Sequence, residues 1–332
     1  MAKQDRTRAA LDRLAAAVED PHAPAARTAI AKALRDRSNL VVAAALEVIY
    51  EHELTGFESA MHEVFAAAMV DPVKSDPSCR TKAGVVKALD MLREPADELF
   101  LTGVRYVQRE PVWGGSQDTA IHLRGMCATA LVNRGYADVM IELARLLADP
   151  ERDARRAAAE AIAASGDAHA GVPLLVLRIR AHEQEPEVLT ACFAGLLSLA
   201  SEKTFDLVVE HLRARDALVA EAAALALGQE RPDGAFAALR ELAEEAFGEQ
   251  RKIALLSIAM LRSEAGWEYL LERVATGQLG IAGDAIQALS VYRELPSLVE
   301  RTREAVAQRT SDRERLERFL AEHFAERRGA GR

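Results

Sequence analysis

Nine times along the chain an apolar residue recurs at i, i+3, i+4 and i+7, and each time a second apolar, alanine-rich helical stretch follows. The patterns lead with Ala26, Phe57, Phe100, Tyr136, Val172, Phe205, Ala235, Trp267 and Leu295, at intervals of 28 to 43 residues. A single helix pair of this kind cannot bury its own apolar stripe, so neighbouring pairs must stack to make a core. The period therefore predicts an all-α chain, an α-solenoid of about nine stacked helix pairs, rather than a compact enzyme core.

Composition agrees with that reading. Half of the residues are hydrophobic but only 5% are aromatic, and alanine dominates the apolar set. Alanine favours helix and lets helices approach closely. The expected organisation is one solenoid domain over residues 1–332. Residues 5–19, with Leu11, Leu14 and Val18 at helical spacing, form an N-terminal cap, and 20–310 carry the repeats. Residues 311–328, with Leu316, Phe319, Leu320 and Phe324 on one face, form a C-terminal cap before a disordered tail, 329–332.

The formal net charge is −9 and the sequence pI about 5.5, which disfavours a nucleic-acid partner unless a local basic patch exists. Three cysteines, Cys79, Cys127 and Cys192, are odd in number and lack metal-ligand spacing, which suits a reducing compartment. The charged start MAKQDRTRAALDRL has no apolar core of a signal peptide, and runs such as Val172–Leu177 are too short to span a bilayer. The cytoplasm is the expected address, with no membrane association.

The clearest unit runs from Tyr136 to Asp167. Its first helix places Tyr136, Val139, Met140 and Leu143 on one face, and LLADPERDARRAAAEAIAASGD follows at 146–167. Asp149-Pro150 turns the chain, Arg155 opens the second helix, Ala157, Ala158, Ala161 and Ile162 form a buried stripe, and Gly166 ends it. This string resembles a HEAT repeat of the short bacterial type. RARDALVAEAAALALG at 213–228 resembles it again, and GEQRKIALLSIAMLR at 248–262 does so more loosely. The resemblance spans roughly residues 20–310 and implies stacked helical pairs. The second-helix arginine is present as Arg124 and Arg155 and is replaced by Lys82, but Leu189, Ala220 and Ile253 stand there in later units. Any polar ladder along the stack is thus confined to the middle.

Two units depart from the period. From leading residue to the anchor near the end of the second helix, the second and third units measure 31 and 30 residues, against 21 to 25 elsewhere. Insertions at equivalent turns of adjacent repeats project from the same edge, and such loops often bind. The first insertion is DPVKSDPSCR, 71–80, made stiff by two Asp-Pro pairs. The second is QREPVWGGSQDT, 108–119, in which Trp113 precedes Gly114 and Gly115. A tryptophan beside glycines offers a flat anchor that a partner's backbone can approach.

The candidate partner-binding residues are accordingly Trp113 as anchor, Arg109, Lys82 and Arg124 as carboxylate clamps, and Glu110, Asp118, Arg105, Asp76 and Lys74 around them. The competing expectation has Trp113 folded down to plug a gap between splayed repeats. Trp267 falls on a leading core position and reads as packing, as do Cys127 and Cys192. Cys79 differs, because a helix start and nearby Lys82 would lower its thiol pKa. Scattered histidines give no zinc site, no phosphate loop or serine elbow is present, and no metal or cofactor is expected.

Function is expected to be that of a non-catalytic scaffold or adaptor that binds a protein or peptide through its concave face and loop-bearing edge. The alternative implied by the resemblance is a HEAT-like enzyme or enzyme subunit, akin to the bilin lyases or the alkylpurine DNA glycosylases.

Overall fold

A computed structural model describes residues 2–324; the expected tail at 329–332 and the last residues of the C-terminal cap lie outside them. The chain divides into two compact units, Met1–Gly166 and Asp167–Arg332.

In the first unit, α1 (Ala2–Ala17) lies against the pair α2 (Pro24–Ala33) and α3 (Asn39–Glu51). The next pair is α4 (Glu58–Ala68) and α6 (Arg80–Met91), separated by a single turn, α5 (Pro72–Ser75). Then come α7 (Asp97–Val104) with α8 (Ile121–Asn133), and α9 (Val139–Leu147) with α10 (Arg152–Ala164). Each second helix packs on the next, α3 on α6, α6 on α8 and α8 on α10. This is the stacking that the period requires. Ile30, Leu46, Ile49, Met61, Leu89, Phe100, Leu123 and Leu131 fill the core between the layers.

The second unit repeats the scheme with α11 (Ala168–Arg180), α12 (Pro186–His211), α13 (Ala217–Glu230), α14 (Ala235–Glu245) and α15 (Gly248–Met260). It continues with α16 (Glu264–Thr276), α17 (Leu279–Leu289), α18 (Pro296–Ala307) and α19 (Arg313–Phe324). Helix α12 is two repeat helices joined without a loop, since Ala200 breaks it at φ −157° and ψ 53°. It alone among the described helices is long and apolar enough to cross a membrane, and its apolar stretch is half buried inside the unit. Helix α19 packs on α17 and α18 with Leu316 and Leu320 buried.

Small residues set the spacing between second helices. A methyl group added at Gly228 in α13 would sit 2.7 Å from the Ser257 carbonyl oxygen and 2.9 Å from its Cα in α15. Backbone cannot yield as a flexible side chain would. Replacing Gly228 with alanine is therefore expected to cost about 1–3 kcal/mol by overpacking, although alanine normally favours a helix interior. Urea unfolding followed by circular dichroism checks this, and a stabilised variant would refute the close approach.

One element departs from the all-α expectation. Residues Arg109–Val112 (β1) and Gly115–Asp118 (β2) form an antiparallel hairpin between α7 and α8, pairing Arg109 with Asp118 and Val112 with Gly115.

A candidate docking edge

The first insertion is built by aspartates. Asp71 takes a left-handed conformation (φ 48°) ahead of α5, and Ser78 and Cys79 follow with φ of 63° and 53°. Three non-glycine residues in that region carry strain, which the surroundings must hold. Asp76 does so from within: its carboxylate accepts from the backbone N–H of Thr81 (2.8 Å) and Lys82 (3.1 Å) at the start of α6. The Lys82 ammonium lies 3.0 Å from the same carboxylate and also donates to the Ala68 carbonyl at 2.9 Å. Both Lys82 and Asp76 are fully buried.

The hairpin of the second insertion stands on that base. Gln108 donates from its side-chain amide to the Asp76 carbonyl (2.9 Å) and to Glu110 Oε1 (2.7 Å). The same oxygen accepts from the Ser78 backbone N–H (2.6 Å) and the Thr119 hydroxyl (2.6 Å). The two long loops are thus one structure, tied together through Glu110. Burial pushes the Glu110 carboxyl upward, but its donors Thr119, Ser78 and Gln108, with the charge of Lys82, outweigh this and hold it below the usual range.

On the other side Asp118 accepts from the backbone N–H of Ala120 (2.9 Å) and Gln108 (3.2 Å) and from Arg124 (2.7 Å). Its burial is likewise outweighed by those donors, and its pKa lies below the normal aspartate value. Arg124, itself buried, donates further to the Tyr106 carbonyl (3.0 Å) and to Asp149 of the next repeat (3.1 Å). Arg155 donates to the Asp149 and Pro150 carbonyls, both at 2.9 Å. Arg124 and Arg155 thus meet at Asp149, while Lys82 makes its own buried pair with Asp76.

The expected clamps need correction. Lys82 and Arg124 are buried and paired inside, so neither reaches a partner; with Asp76 and Asp118 they support the hairpin. Arg105 is held by Glu142 (2.8 Å), which Arg145 also contacts (2.9 Å). Arg109 stays half exposed, 3.8 Å from Glu151, and Lys74 is exposed beside Asp71 at 2.9 Å. Trp113 does not plug a gap. It sits at the hairpin turn with a relative exposure of 102%, next to exposed Val112, while Gly114 supplies the positive φ of 85° that the turn needs.

The sequence reading missed Gln108 and Thr119, which lie symmetrically about the Trp113-Gly114 turn, and Asp149, the acidic partner of Arg124. The turn signal and the Asp-Pro pair were the available clues. The expectation for Cys79 is also corrected: burial pushes its thiol up to about 11, and the opposing charge of Lys82 is too weak to reverse this. Cys127 and Cys192 are core residues, both pushed upward by burial. Trp267 is half-buried, and its buried indole N–H has no hydrogen-bond partner among the described residues.

No protein-family model matches the chain, and no curated protein matches its sequence. Among solved structures it is similar to the complex of CpcE and CpcF of phycocyanin lyase from Nostoc sp., at 16% identity and a TM-score of 0.40. The match covers 80% of this chain and 94% of that one. That complex is a lyase and not a non-catalytic scaffold, the role expected from the sequence; of the two expectations it corresponds to the alternative, a HEAT-like enzyme or enzyme subunit.

Proposed function

We propose that the chain is a subunit of a HEAT-like enzyme assembly and that the hairpin β1–β2 is the element through which it engages another protein of that assembly. The observation that carries the docking role is Trp113: a fully exposed indole held on a hairpin whose base is locked by buried charge. A large apolar side chain fixed in water has no role in the stability of its own unit. The hairpin that carries it is fixed at its base, so binding has to order little beyond the indole itself, which favours an anchor in a partner's pocket. Val112 extends the apolar tip, and Arg109 and Gln117 give it a polar rim, the arrangement of a protein interface.

A photo-crosslinking residue placed at position 113 in the native host tests this, with the same residue at exposed Phe247 in the second unit as control. The expected result is one protein captured stoichiometrically at 113 and not at 247, whose complex with the chain carries an activity that the separated proteins lack. No adduct specific to position 113 would sink the docking role. A specific partner with no activity in the complex would sink the enzyme-subunit role.

A further inference from the structure

A second site lies on the other side of the first insertion. A cleft of about 600 Å³ opens between α1, the α2–α3 turn and residues 74–77. Its charged lining consists of Arg8, Arg37 and Lys74, and no carboxylate lines it, in a chain whose net charge is −9. Of the acids nearby, Asp71 pairs with Lys74 (2.9 Å), Asp76 is buried against Lys82, and Asp36 accepts from the Ser38 backbone N–H (2.8 Å); Asp5 and Asp12, one turn either side of Arg8 on α1, line no part of the cleft. Among the described residues neither Arg8 nor Arg37 has an acidic partner.

The rest of the lining divides in two. Thr7, Ser38, Asn39 and Ser75 offer hydroxyl and amide groups, and the Ser38 side chain bonds no backbone amide of α3. Leu11, Leu40 and Pro77 make an apolar wall, with Leu40 left 44% exposed. Two unpaired guanidinium groups bind a planar or tetrahedral oxyanion through paired N–H donors. The cleft falls within the size range of small-molecule sites, and the apolar wall fits an organic body rather than a bare ion. A long polyanion is disfavoured by the acidic chain around so small a basic patch.

We infer that this cleft binds a small organic phosphomonoester, its phosphate between Arg8 and Arg37 and its apolar part against Leu11, Leu40 and Pro77. A phosphate charge of about −1.5 to −2 matches the two guanidinium groups, which form no ion pair among the described residues. The site is independent of the hairpin's docking role, although Lys74, Ser75 and Pro77 come from the insertion that supports the hairpin.

Phenyl phosphate serves as the probe, titrated calorimetrically at constant ionic strength against the full chain. Saturable one-to-one binding is expected, tighter than for inorganic phosphate, and about tenfold or more weaker in an Arg8→Gln, Arg37→Gln double variant. Arg240→Gln, an exposed change in the second unit, should leave it unaltered. Both changed cleft residues are exposed, so folding is not at risk, and circular dichroism verifies it. No saturable binding, equal binding by the double variant, or binding of anionic vesicles without phenyl phosphate would each overturn the assignment.

Discussion

Replacing Arg124 with methionine is expected to lower the unfolding free energy of the first unit by about 3–5 kcal/mol, the usual cost of removing one partner of a buried ion pair. The size follows from what is left behind. Methionine fills much of the space but leaves Asp118 without its cation at 2.7 Å and Asp149 without its own at 3.0 Å, the former in a dry environment. Urea unfolding of the variant against the parent measures the loss. Adding Asp118→Asn and Asp149→Asn should restore part of it, because a neutral amide costs less to bury than an orphaned carboxylate. A loss below about 1 kcal/mol would mean that the pair does not hold the hairpin to its repeats.

The Lys82–Asp76 pair sharpens the point, since it is equally buried but differently supported. Without the Lys82 ammonium, Asp76 still accepts two backbone N–H groups at the start of α6, where a negative charge is favourable. Burial alone therefore does not rank the two sites. The number of carboxylates left without a cation does: Asp118 likewise keeps two backbone donors, from Ala120 and Gln108, but losing Arg124 strips Asp149 of its cation as well, which makes Arg124 the more sensitive position.

Most of the fold was legible because its cause is periodic. Tyr136, Leu143, Ala158, Ala161 and Ile162 repeat at the spacing of a helix face, and that spacing carries the stacking with it. The hairpin was not legible, because its cause is tertiary. REPVWGGSQD holds one β-branched residue and a proline, a poor strand by local preference. It pairs because Glu110 and Asp118 are pinned from outside, by Ser78 in one insertion and Arg124 in the following helix. The same reason explains the two misread cations. Lys82 and Arg124 were placed on the binding edge for their position in the repeat pattern beside the two insertions, yet both sit in the first turn of α6 and α8 and are buried against Asp76 and Asp118. Burial, which decides the Cys79 thiol as well, has no local signature in a chain this rich in alanine.

Trp113 is the converse case, a residue whose removal should leave the fold untouched and the function impaired. Since the side chain is fully exposed, Trp113→Ala is expected to change stability by no more than about 0.5 kcal/mol. Its affinity for the protein captured at that position should fall by about 2 kcal/mol or more, roughly 30-fold, as for a central aromatic anchor. Surface plasmon resonance with the purified partner reads the second quantity and urea unfolding the first. The base of the hairpin supplies an independent check. Gln108→Ala removes the bonds to Asp76 and Glu110 without touching the tip, so it should weaken the same interaction less, by loosening the geometry in which the indole is presented. If Gln108→Ala weakens binding and Trp113→Ala does not, the contact is made by the rim of the hairpin rather than its tip. If neither does, the exposed indole is not an anchor, and the partner sits elsewhere on the chain.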